Sequence, residues 1–96
     1  MQTHTLTTTQ QNFLTTFCEM FDLGLRTDYS GRGMFGKSCV GFVLSPYVSQ
    51  FMVGMELGRY LALTEEGAEL ATLIEGNSID DTGKGKIIYF PNITWN

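Results

Sequence analysis

The sequence predicts a small α+β domain with element order α-β-β-α-α-β, whose three-stranded, mostly antiparallel sheet is covered on one face by helices. Three observations lead there. Apolar side chains between residues 13 and 21 recur near a 3.6-residue period, the mark of a helix face. Two β-favouring runs, residues 25–30 and 38–44, flank a glycine-rich stretch, the layout of a hairpin. Ser45-Pro46 and Thr64-Glu65-Glu66 both read as helix starts.

Each element has its own signals. Residues 1–7, part of a threonine-rich start, are expected to be flexible within a single domain spanning 1–96. A helix follows over about 8–23, with Thr8 and Gln11 at capping-box spacing and a stripe of Phe13, Leu14, Phe17, Cys18, Met20 and Phe21. Gly24 is placed to end it in a left-handed turn. Residues 25–30 roughly alternate, as a half-buried strand does, and the run Cys39-Val40-Gly41-Phe42-Val43-Leu44 continues the hairpin. The second helix takes Ser45 as its cap and Pro46 as its first residue, where a missing N–H costs nothing. Val48, Phe51, Met52 and Met55 are then its expected core face, and Gly54 and Gly58 let another element approach closely. Thr64 caps a third helix with Glu65 and Glu66 in its first turn, where the macrodipole favours acids. Leu70, Leu73 and Ile74 point inward and Gly76 closes it. Residues 77–86 read as a polar turn, and residues 87–90 as a strand that Pro91 confines to an edge or to its own end.

The totals exclude several classes. The net charge of −4 argues against a broad nucleic-acid footprint. No run of about 20 apolar residues is available for a membrane span, and no apolar segment follows a basic start, so the expected location is the cytoplasm. Cys18 and Cys39 lack the spacing of a metal knuckle, and His4 is the one histidine, so neither a metal site nor a cofactor is expected. Both cysteines read as buried, reduced thiols. Asp28 with Tyr29, or Asp80 with Asp81, are the thin candidates for acid–base work, and Asp80 and Asp81 also suit a turn. Leu63-Thr64-Glu65-Glu66-Gly67 is superficially like the segment after the wing of winged-helix regulators, but the helix before it carries one cation, Arg59, and no basic recognition face.

The chemistry-bearing motif is Gly31-Arg32-Gly33-Met34-Phe35-Gly36-Lys37-Ser38, which satisfies every fixed position of the phosphate-loop pattern. Its setting does not. A hydrolytic phosphate loop passes straight into a helix, whose N-terminus receives the phosphate; here Ser38 leads into a β-favouring run. A weaker anion-binding reading remains. Five of the six basic residues, Arg26, Arg32, Lys37, Lys84 and Lys86, flank or lie within the two glycine clusters. Gly31, Arg32, Gly33, Gly36, Lys37, Ser38, Lys84 and Lys86 would hold a nucleotide or phosphate if the two loops met. Met34 and Phe35 suggest a different use. Two large apolar side chains at a loop tip either fold back on the sheet or anchor a protein partner, Tyr29 and Arg32 joining them in that case.

The segment from Asp28 to Lys37, with the later Gly83-x-Gly85 and Tyr89-x-Pro91, resembles a set of small proteins from phages and bacterial mobile elements. The resemblance implies action by binding inside a bacterial host: inhibition of a defence complex, as anti-CRISPR-like proteins do, or sequestration of a signalling nucleotide. The function expected is therefore a non-enzymatic, protein-binding inhibitor contacting its partner through Tyr29, Arg32, Met34 and Phe35, with a nucleotide-binding module as the alternative. A homodimer, joined through the Gly54/Gly58 helix face or an edge strand, is a third, structural option.

Overall fold

A computed structural model describes residues 3–31, 34–81 and 85–96. It is an α+β domain with three helices, but the elements run β-α-β-β-α-α-β-β-β. These are β1 (His4–Thr5), α1 (Thr8–Phe21), β2 (Gly24–Tyr29), β3 (Cys39–Leu44), α2 (Gln50–Leu61), α3 (Glu65–Leu73), β4 (Ser78–Asp81), β5 (Lys86–Phe90) and β6 (Ile93–Thr94). The main sheet has four strands, not three, in the order β2-β3-β5-β4, and every neighbour is antiparallel. β4 is the main-sheet strand missing from the sequence reading, which also lacked the short β1 and β6. Asp80 and Asp81 are poor strand formers, and on a short edge strand they are tolerated because only one side of the backbone is paired. Residues 4–7, expected to be flexible, are tied down: β1 pairs in parallel with β6, and Leu6 beside it is buried with Ile93.

Helix frames also move. The capping box forms one residue earlier than expected: the Thr7 hydroxyl accepts from the Gln10 amide at 3.1 Å, and the Gln10 side chain accepts from the Thr7 amide at 2.9 Å. Three consecutive threonines offer equivalent caps, and this frame is the one in which Leu14, Phe17 and Cys18 are buried. The left-handed residue ending α1 is Asp22, not Gly24, since a short polar side chain tolerates that conformation. Ser45-Pro46 makes a tight turn, closed by Val48 N–H to Ser45 O at 3.1 Å. Ser49 is the true cap of α2. The helix therefore buries Val53, Leu57 and Leu61 and turns Phe51, Met52 and Met55 outward, against expectation. Thr64 caps α3 as the sequence implied, its hydroxyl accepting from the Gly67 amide at 3.0 Å.

The core lies between the helices and one face of the sheet. Phe17 from α1 packs on Phe42 with ring centroids 6.0 Å apart, and Phe42 on Phe90 at 5.1 Å. Leu14, Leu57, Leu61, Leu70, Val40, Leu44 and Ile88 close around them. α3 presses tightly on the end of α2: a Cβ at Gly67 would lie 2.2 Å from the Leu61 carbonyl oxygen, so only glycine fits.

Candidate functional site

Alternation along β3 sends Val40, Phe42 and Leu44 to the helix-covered face and Cys39, Gly41 and Val43 to the other. Among the described residues no helix covers that second face, yet Cys39 and Gly41 are buried. Tyr29 accounts for part of the cover. It stands at the end of β2, beyond a register irregularity that begins after Arg26. Its ring packs on Tyr89 of β5 with centroids 5.0 Å apart, although β3 runs between the two strands. Gly41, in register with Tyr89, supplies no side chain to block the crossing. The Tyr29 hydroxyl then donates to the Asp80 carboxylate on β4. One side chain thus braces the sheet from one edge strand to the other.

Gly31, the first residue of the glycine loop, rests on this brace. A Cβ at Gly31 would fall 1.9 Å from the Tyr29 hydroxyl, so the chain lies directly against the tyrosine. Beyond it two i to i+3 hydrogen bonds share Met34: its N–H donates to Gly31 O at 3.2 Å, and Lys37 N–H donates to Met34 O at 2.9 Å. Met34 is 6% exposed and Phe35 is 95% exposed. The two neighbours therefore have opposite fates. Met34 folds inward and holds the loop, while Phe35 is displayed to solvent. Phe35 has φ 50° and Gly36 φ 82°, the pattern of a turn with two left-handed central residues. Glycine adopts that conformation freely; for phenylalanine it costs on the order of 1 kcal/mol.

Of the residues expected to bind a partner, Tyr29 and Met34 form the underside of the loop and Phe35 its outer tip. Arg32, Gly33 and Lys84 lie outside the described residues. Among the anion candidates, Gly36, Lys37 and Ser38 are exposed at the start of β3, whereas Lys86 opens β5 opposite Leu44, at the far end of that strand. The seven residues from Ser38 to Leu44 span roughly 20 Å of extended chain. The structure does not bring Lys37 and Ser38 together with Lys86. The Met34 and Lys37 amides are also engaged in turn hydrogen bonds, so neither is aimed at an anion. Ser38 leads into a strand, as its sequence context implied, so no helix N-terminus stands behind the loop.

Nucleophilic chemistry finds little support among the described residues. Cys18 and Cys39 are free and buried. Burial, helped by Glu19, pushes the Cys18 thiol up to about 12, and burial raises Cys39 despite an opposing hydrogen bond to the Phe90 backbone. Neither is a thiolate at neutral pH. Tyr29 pairs with Asp80, not with its neighbour Asp28. Burial and the Asp80 carboxylate push its hydroxyl up to about 12. No group of three or more His, Cys, Asp or Glu among the described residues is placed to hold a metal ion, and no described helix is long and apolar enough to cross a membrane.

Sequence reasoning missed the pairing of Tyr29 with Asp80. The two are 51 residues apart, and no spacing rule connects them. It named the Gly54/Gly58 face of α2 but placed Phe51, Met52 and Met55 in the core; they are exposed beside a groove of about 380 Å³ floored by Phe42, Ile88 and Phe90. Comparison with protein-family models, curated proteins and solved structures gave no match.

Proposed function

We propose that this chain acts by binding another protein, with the tyrosine-braced loop as its contact surface and Phe35 as the anchor. The observation that carries this reading is the contrast inside the loop. A fully wet aromatic ring is held in a left-handed backbone conformation on a turn fixed from beneath by Met34 and Tyr29. Strain of that kind persists where surrounding structure over-determines it, and aromatic side chains carry a large share of binding energy at protein contacts. A turn held by hydrogen bonds also loses little freedom on binding. Arg32 would add a charge-assisted bond to a carboxylate at the rim.

The class of partner rests on the resemblance to phage and mobile-element proteins: a bacterial defence complex, met in the host cytoplasm, with the chain acting as a non-enzymatic inhibitor. Affinity capture from such a host, run in parallel with wild-type protein and Phe35→Ala, tests the reading. A defined complex held by the wild type and lost by the variant, whose circular dichroism is unchanged, is the expected result. Equal recovery of that complex by both proteins would overturn the assignment, as would recovery of none by the wild type.

A further inference from the structure

We infer that the outer face of α2 is the contact surface between two copies of this chain, packed as an antiparallel helix pair. The helix is apolar on both sides. Val53, Leu57 and Leu61 are buried inward, while Phe51, Met52 and Met55 are 77%, 52% and 57% exposed outward. Its polar side chains, Gln50, Glu56 and Arg59, lie off that outward stripe and leave it apolar. The outward stripe reads Phe51, Gly54, Met55, Gly58 and Ala62, at the i, i+3, i+4, i+7 spacing of a helix-packing seam, and all five are exposed. Nothing lies within 4 Å of a Cβ built at Gly54 or at Gly58, so both positions are open hollows on the surface. Both also line the groove that reaches Phe42, Ile88 and Phe90.

Large and small residues alternate along this stripe in a way that complements itself. A twofold axis passing between positions 54 and 55 sets Phe51 of one copy against Gly58 of the other, and Met55 against Gly54. Each projecting side chain meets a hollow, twice over, as an isologous contact requires. The glycines let the helix axes approach to about 8 Å, the close end of the observed range. Area points the same way. Tyr47, 96% exposed just before the helix, together with Phe51, Met52 and Met55, presents on the order of 500 Å² per copy. Complete cover of all four side chains in two copies would remove roughly 1,000 Å² from water, which is the lower bound of a specific interface. The pair is therefore a modest one, with affinity in the micromolar range.

Sedimentation velocity over a concentration series, up to about 1 mM, is the test. The wild type should pass from a 10.7 kDa species to twice that mass. Gly58→Leu fills the hollow on an open surface and improves helix propensity, so it should fold and stay monomeric. Phe51→Ala combined with Gly58→Leu moves the projection to the other position and should restore the dimer. A monomeric wild type throughout, a dimer that survives Gly58→Leu, or a double variant that remains monomeric would each overturn the pairing.

Discussion

The two faces of the sheet are covered by different means. On one, α1, α2 and α3 press a continuous cluster of leucines and phenylalanines against Val40, Phe42, Ile88 and Phe90. On the other, the chain that follows Tyr29 is held by a hydroxyl on Asp80, a ring on Tyr89 and the inward turn of Met34. The first face gathers its stability from many small contacts, so losing one side chain there is felt throughout the domain. The second depends on a few anchors, each of which decides where the loop sits more than whether the chain folds. A domain can therefore alter its displayed loop without touching its core. Substitutions on the two faces should separate these roles.

The largest effect belongs to the helix-covered face. Phe42 is completely buried and touches the rings of both Phe17 and Phe90. Phe42→Ala should cost about 3–5 kcal/mol, from lost transfer energy and the cavity left behind. A small domain holds only about 5–15 kcal/mol in total, so urea unfolding should show the midpoint collapsing towards zero denaturant. A loss below about 1 kcal/mol would mean that the aromatic cluster is not the centre of the core.

That cluster was legible in the sequence; the loop's supports were not. The periodic stripe of α1, the β-favouring run of β3 and the Thr64 cap of α3 are local signals, and each produced its element. α2 misled because Ser45-Pro46 suits a turn as well as a helix start. Moving the start to Ser49 gave the inward face to Val53, Leu57 and Leu61. β4 was hidden by two aspartates in a four-residue edge strand. With β4 unseen, Asp80 could not be recognised as the acceptor for Tyr29. The glycine loop itself stood out, and so did the pair Met34 and Phe35; which of them turns inward depends on a turn geometry that composition does not specify.

An intermediate effect is expected at the brace. Tyr29→Phe keeps the ring on Tyr89 but removes the bond to Asp80, and should cost about 1 kcal/mol. Its signature lies at high pH. The folded chain keeps the Tyr29 proton up to about pH 12, whereas a free tyrosine loses it near 10.0. Between those values the unfolded chain holds fewer protons, so stability falls as pH rises. Below pH 10 the contribution is fully present. Cys18 behaves in the same direction from 9.0 to about 12, and its share remains in the variant. Chemical unfolding at several alkaline pH values should therefore show a shallower decline for Tyr29→Phe than for the wild type. Identical slopes would show that the hydroxyl is not held in the fold.

The smallest effect on stability, and the sharpest contrast with binding, is expected at Phe35. Phe35→Gly relieves a left-handed φ worth about 1 kcal/mol in the folded chain. It also adds freedom to the unfolded chain, at a cost of about 0.5–1 kcal/mol. These oppose each other, and at 95% exposure little packing is lost, so the unfolding midpoint should stay within about 0.5 kcal/mol of wild type. Recovery of a partner complex should nevertheless disappear, because the ring is the only large apolar group the turn displays among its described residues. If the ring instead served the domain's own packing, the variant would lose stability and keep its partner. Phe35→Gly therefore distinguishes a residue maintained for display from one maintained for the fold, at the position where the backbone already carries a conformation better suited to glycine.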